Sequence, residues 1–115
     1  MNRLIAVAFA LLLAPQALAD GKTSYATYCS ACHGAAGAGD GAASAALTPK
    51  PASFTETAFW SRTDVPVTDE HLTKVIKEGG MAVGKSPLMA PWGGVLSDEQ
   101  VTEVVEYIKT FKPAE

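Results

Sequence analysis

Two cysteines and two histidines are all the thiol and imidazole this 115-residue sequence contains. That scarcity leaves a zinc site short of its roughly four ligands. It also rules out a framework of several disulfides, since there is no second C-x-x-C and no third cysteine. Positive charge is scarce too: nine basic against twelve acidic residues give a formal charge of −3. Nucleic-acid binding needs a basic surface, and this balance argues against it. No apolar run reaches the ~20 residues needed to cross a bilayer. No internal repeat occurs, and the glycine-rich stretch lacks the Gly-Lys-Ser/Thr of a phosphate loop.

The few cysteines and histidines present are concentrated. Cys29-Ser30-Ala31-Cys32-His33 is a C-x-x-C-H pattern, the attachment site of covalent c-type haem. On one helical turn, positions 29 and 32 lie on the same side, so both thiols reach the vinyl groups of a single macrocycle. His33 then offers an imidazole nitrogen to the iron. A thioredoxin-like dithiol would need a preceding strand and a βαβ pattern, and no strand signal precedes the motif.

The N-terminus agrees with export. Arg3 is followed by an apolar run from Leu4 to Ala14, a break at Pro15-Gln16, and small residues at Ala17-Leu18-Ala19. This pattern predicts a cleaved secretory signal over residues 1–19 and a single domain over residues 20–115, with no permanent membrane anchor. Covalent haem attachment normally takes place outside the cytoplasm, so the two signals reinforce each other. A domain of this size has a modest core, and a large apolar cofactor would complete it.

Along residues 20–115, Gly21 to Cys32 reads as a helix carrying Tyr25, Tyr28 and Cys32 on one face, ended by Gly34. Gly34 to Gly41 reads as a tight loop near the haem edge. Thr48-Pro49-Lys50-Pro51 is a rigid break, and Phe54, Phe59 and Trp60 after it are expected to pack against the macrocycle. Trp60 and Arg62 are candidates for a propionate, Arg62 otherwise being a solvated surface residue. Thr68 predicts an N-cap for a helix through Glu78 with a Leu72, Val75, Ile76 stripe, stopped by Gly79-Gly80; His71 in its first turn reads as exposed. Ser97-Asp98-Glu99-Gln100 is a capping box opening a last helix with Val101, Val104, Val105 and Ile108 on one face. Each amphipathic helix is too short to stand alone, so the first and last are expected to cross.

The second axial ligand decides function: one protein ligand leaves iron open to gases or peroxide, two make an electron carrier. Two methionines follow the leader, Met81 and Met89, and a soft thioether favours Fe(II). Met89 is the preferred ligand. It lies in Ser86-Pro87-Leu88-Met89-Ala90-Pro91-Trp92, where flanking prolines restrict the chain and Trp92 is placed to cover the ligated face. Met81 follows the flexible Gly79-Gly80 and is the runner-up.

In this order of motifs the chain resembles a class I c-type cytochrome of the small bacterial single-haem kind. The likeness spans haem attachment near the N-terminus, Gly39-Asp40-Gly41, Lys50-Pro51-Ala52-Ser53-Phe54, the methionine loop, Leu96-Ser97-Asp98-Glu99 and Val105-Glu106-Tyr107-Ile108. Ala90 stands where the family commonly has proline after its methionine. The resemblance implies an all-α cytochrome c fold of three to five short helices around one covalent haem c, the N- and C-terminal helices crossed. It also implies proximal His33, distal Met89, and a carbonyl at Pro49 or Pro51 accepting from the second nitrogen of His33.

The function implied is a soluble periplasmic single-haem carrier cycling Fe(III)/Fe(II) between redox proteins, expected as a monomer and as an electron-transfer protein rather than an enzyme. Lys74, Lys77 and Lys85 are candidates for a docking face toward an acidic partner. The competing readings are a haem peroxidase or gas binder with an open sixth position, for which Lys85 and Ser86 are the available polar groups, and a cytochrome subunit of a larger redox complex.

Overall fold

The computed structural model describes residues 13–114, with side-chain surroundings from residue 16 onward. The signal segment up to residue 12 lies outside the described residues. Five helices follow one another: α1 (Leu13–Tyr28), α2 (Ser30–His33), α3 (Thr57–Ser61), α4 (Asp69–Glu78) and α5 (Asp98–Lys109), with single 3₁₀ turns at Ala42–Ala46 and Gly80–Val83. No strand occurs among the described residues. None of the described helices is long and apolar enough to cross a membrane.

The first helix starts earlier than the sequence pattern suggests and runs through Ala19 and Asp20. It is interrupted at Cys29, whose φ of −115° separates α1 from α2. The hydrogen-bond path barely breaks, because Cys29 N–H donates to Tyr25 and His33 N–H donates to Cys29, both at 2.9 Å. The haem motif is thus one helical turn, and Gly34 closes it at φ +84°.

Helices α1 and α5 pack directly against each other. The α5 stripe of Val101, Val104, Val105 and Ile108 is buried, and so is Tyr25 of α1. Each such valine contributes roughly 1.5–3 kcal/mol when fully buried. Tyr25 meets Tyr107 and Phe111 with ring centroids 5.3 and 5.5 Å apart. The contact point is Gly21, where a side-chain carbon would collide with the Glu103 carbonyl and lie 3.1 Å from Tyr107 Cβ.

The capping signals form as the sequence predicts. Thr68 Oγ1 accepts from His71 N–H at 3.0 Å and starts α4. Ser97 and Gln100 make a reciprocal box at 3.1 and 2.9 Å that starts α5. Gly79 ends α4 at φ +86°. Lys109–Asp69 (3.1 Å) and Lys77–Asp98 (2.7 Å) link α4 to α5, but exposed pairs of this kind contribute at most about 1 kcal/mol each.

The glycine-rich segment departs from expectation. It does not line the cavity described below. It packs behind the motif, where Gly41 N–H donates to Cys32 (3.1 Å) and Gly39 N–H donates to His33 (2.7 Å). A side-chain carbon at Gly41 would collide with the Ala31 and Ser30 carbonyls. These glycines are required by close approach to another backbone rather than to a ligand.

Candidate functional site

Between α1, α2, α4 and the two long loops lies a cavity of about 290 Å³, at the lower end of the range for sites that enclose a small molecule. Cys29, Cys32 and His33 line it from the motif turn, Pro49, Pro51, Ala52 and Phe54 from the proline segment, and Leu72 and Ile76 from α4. Met89 reaches it from the Gly80–Pro91 loop. The cysteines are free thiols and not joined to each other.

Each of these groups is held in place. His33 Nδ1 lies 3.0 Å from the Ala52 carbonyl, which leaves Nε2 for an iron and fixes ring orientation, as partners behind a metal ligand do. The carbonyl is thus that of Ala52, and neither Pro49 nor Pro51 supplies it; both prolines remain cavity walls. The His33 ring also stacks on Phe54, centroids 4.8 Å apart and 21° between planes. Burial lowers the His33 pKa, opposed by the Ala52 bond, and this favours the neutral, ligating imidazole. Burial pushes the Cys29 thiol up to about 11, with Cys32 adding to the shift. A redox dithiol needs the opposite displacement.

Met89 is half-buried and its backbone is pinned at both ends: its N–H donates to Ser86 (3.3 Å) and its carbonyl accepts from Gly80 (2.9 Å). Gly80 leaves room for this closure, since a side-chain carbon there would meet the Ser86 carbonyl and lie 3.3 Å from Met89 Cβ. Met81, by contrast, is 71 % exposed and does not line the cavity.

Three aromatic and basic candidates sit differently from expectation. The Trp60 indole donates to the Phe54 carbonyl at 2.8 Å and lies outside the cavity, so it is spent on the proline segment and not on a propionate. Trp92 packs against Tyr28 (5.4 Å) rather than over the methionine, and also lies outside the cavity. Arg62 is no solvated surface residue: its Nε donates to Val65 (2.9 Å), its Nη2 approaches His71 Nε2 (2.8 Å), and its guanidinium covers the Phe59 ring at 4.8 Å. His71 is half-buried against the cavity and not exposed. Sequence reading misses Ala52 and the Arg62–His71 pair because nothing in the spacing of 62 and 71 reports that α3 and α4 bring them together.

The residues present fit a covalent haem. Two free thiols one helical turn apart, an imidazole with one nitrogen occupied, and a thioether converge on an apolar space. Its charged walls, Lys50, Arg62 and Lys85, are all basic, as propionates require. Among the described residues no three or more His, Cys, Asp or Glu side chains cluster as a bare metal site.

Fold and site together define a small c-type cytochrome. The chain belongs to the family described as cytochrome c oxidase, cbb3-type, subunit III, whose model matches residues 16–108. Among solved structures it is similar to a chain of the Kuenenia stuttgartiensis reducing HAO-like protein complex Kustc0457/Kustc0458, at 38 % identity and TM-score 0.66 over 81 % of this chain. That match spans only 41 % of the Kuenenia chain. It is also similar to the KustC0563 c-type cytochrome, at 26 % identity and TM-score 0.63, covering 82 % of this chain and 99 % of that one. Among curated proteins no relative matches. Membership in a c-type cytochrome family implies covalently bound haem c.

Proposed function

We propose that this chain carries single electrons between redox proteins through one haem c, with His33 and Met89 as the two axial ligands. The observation that supports it most is that His33 and Met89 line one cavity from separate segments, while Met81 stands 71 % exposed. Haem supplies the one-electron couple when bound. Cys29 and Cys32 hold it, Ala52 orients His33 through Nδ1, and Gly80 and Ser86 fix the loop that carries the thioether. The apolar walls exclude water and keep the iron's surroundings constant between oxidation states.

Leu88 lines the cavity and is 53 % exposed, so an apolar rim marks the surface where a partner's cofactor approaches. Such encounters are small and transient. Of the three lysines considered for docking, Lys77 and Lys85 are paired with Asp98 and Asp64, which weakens electrostatic docking on an acidic partner. The site of action is periplasmic, after export directed by residues 1–19, as a monomer of residues 20–115 without a permanent anchor. A second reading, a haem module working within a larger redox complex, draws support from the Kuenenia complex chain that is similar over 41 % of its length.

Carbon monoxide tests the reading. The ferrous holoprotein is expected to show a reversible one-electron couple and no carbon monoxide adduct, because Met89 fills the sixth position. Ready formation of an adduct at neutral pH would favour the gas-binding or peroxidase alternative, with Lys85 and Ser86 as the polar groups nearby.

A further inference from the structure

Met89 reaches the cavity on a flexible side chain, so its backbone must decide where the sulfur goes. Downstream the chain gives little hold. Among the described residues Ala90 N–H joins no backbone hydrogen bond outside the helices, and Pro91 has no N–H to give. The next anchor is Trp92, whose N–H donates to Ile76 at 2.8 Å. The restraint on Met89 therefore has to come from upstream, where Pro87 and Leu88 form the middle of a turn. Serine before the turn and proline at its first central position are residues that such a turn favours.

Two bonds close this turn, and both end on Ser86. Its carbonyl accepts from Met89 N–H at 3.3 Å, beyond the roughly 2.7–3.2 Å of an ordinary N–H···O bond. Its hydroxyl oxygen accepts from Leu88 N–H at 3.1 Å. A serine hydroxyl bonded to the N–H two residues on mimics a backbone turn. The side-chain bond is thus the shorter of the two and supplements a long backbone closure. Ser86, Leu88 and Met89 all line the cavity, so a change in this turn is felt at the site and not at a distance from it.

We infer that the Ser86 hydroxyl is the positioning group for the sixth ligand: by closing the Pro87-Leu88 turn it keeps Met89 facing the cavity, and so sets how firmly an outside ligand is kept from the iron. The inference rests on the electron-carrier reading, with Met89 on the iron. Ser86 acts through the turn, on the population of the loop form that presents the sulfur. An outside ligand competes with Met89 according to that population, as any ligand does with a binding-competent state. Loss of one hydrogen bond of this kind lowers it by about fivefold, and the competitor gains the same factor.

The test uses the ferric haem-loaded protein with imidazole as the competing ligand. Binding is followed by loss of the weak red band of methionine sulfur on ferric haem, in wild type, Ser86→Ala and Ser86→Thr. Imidazole is expected to bind Ser86→Ala about fivefold more tightly than wild type. Ser86→Thr keeps an acceptor hydroxyl at the same place and is expected to return to the wild-type affinity. A hydroxyl that only stabilised the fold would lower the melting temperature and leave imidazole affinity unchanged. Equal affinity in wild type and Ser86→Ala, or a threonine variant that behaves like the alanine one, overturns the inference alone. A wild-type spectrum without the red band overturns Met89 ligation, and this inference with it.

Discussion

Replacing both Cys29 and Cys32 with alanine is expected to abolish most of the helical far-UV dichroism, well beyond the loss of a cofactor spectrum. The reason lies in how the core is divided. Tyr25, Cys29, Phe54, Leu72, Ile76 and Ile108 belong to the buried core and also line the cavity. Without a covalent plate between them, one side of that core faces an apolar space with nothing to pack against. Few-kilocalorie losses decide stability in a domain of this size. The α2 turn has four residues and α3 five, too few to persist without tertiary packing. Circular dichroism of the double variant checks this, and a native-like spectrum without haem would show that the cavity is preformed and self-supporting.

A single methyl at Gly41 is expected to lower stability markedly, although Gly41 lies outside the cavity. The added carbon would collide with the Ala31 and Ser30 carbonyls, which belong to the motif turn itself. Backbone cannot step aside as a flexible side chain does, so Gly41→Ala must move the loop or the turn. Overpacking of this kind costs roughly 1–3 kcal/mol, and each kcal/mol lowers Tm by about 4–8 °C in a domain of this length. Gly94 has nothing within 4 Å of the same position, and Gly94→Ala is expected to change Tm little. Thermal melts of the two holoproteins side by side check the contrast. Equal melting temperatures would mean that the loop is not locked on the motif.

The parts of this molecule legible in the sequence are those encoded by local chemistry. The motif turn, the Thr68 cap, the Ser97–Gln100 box and the glycine stops at Gly34 and Gly79 each depend on residues within four positions of one another, and each forms where the pattern places it. The α5 stripe is buried because its 3.6-residue period leaves it no other face to pack. What the sequence left open depends on tertiary neighbours. Trp60, Trp92 and Arg62 have side chains with several possible partners, and only the fold chooses Phe54, Tyr28 and His71 among them. The carbonyl behind His33 belongs to Ala52 and not to Pro49 or Pro51, because a proline-rich segment fixes the path of the chain but not which carbonyl turns inward. The glycine run reads as ligand-facing because close approach to a haem and close approach to a backbone demand the same residue. The helix at Thr57–Ser61 is a single turn and leaves no periodicity to detect.

The central claim is that Met89 closes the iron. The direct measurement is the visible spectrum of the oxidised holoprotein, read for the weak red band of methionine sulfur on ferric haem, in wild type, Met89→Ala and Met81→Ala. The account predicts the band in wild type and Met81→Ala and its loss in Met89→Ala. A high-spin wild-type spectrum without the band, or a band that survives Met89→Ala, would contradict it.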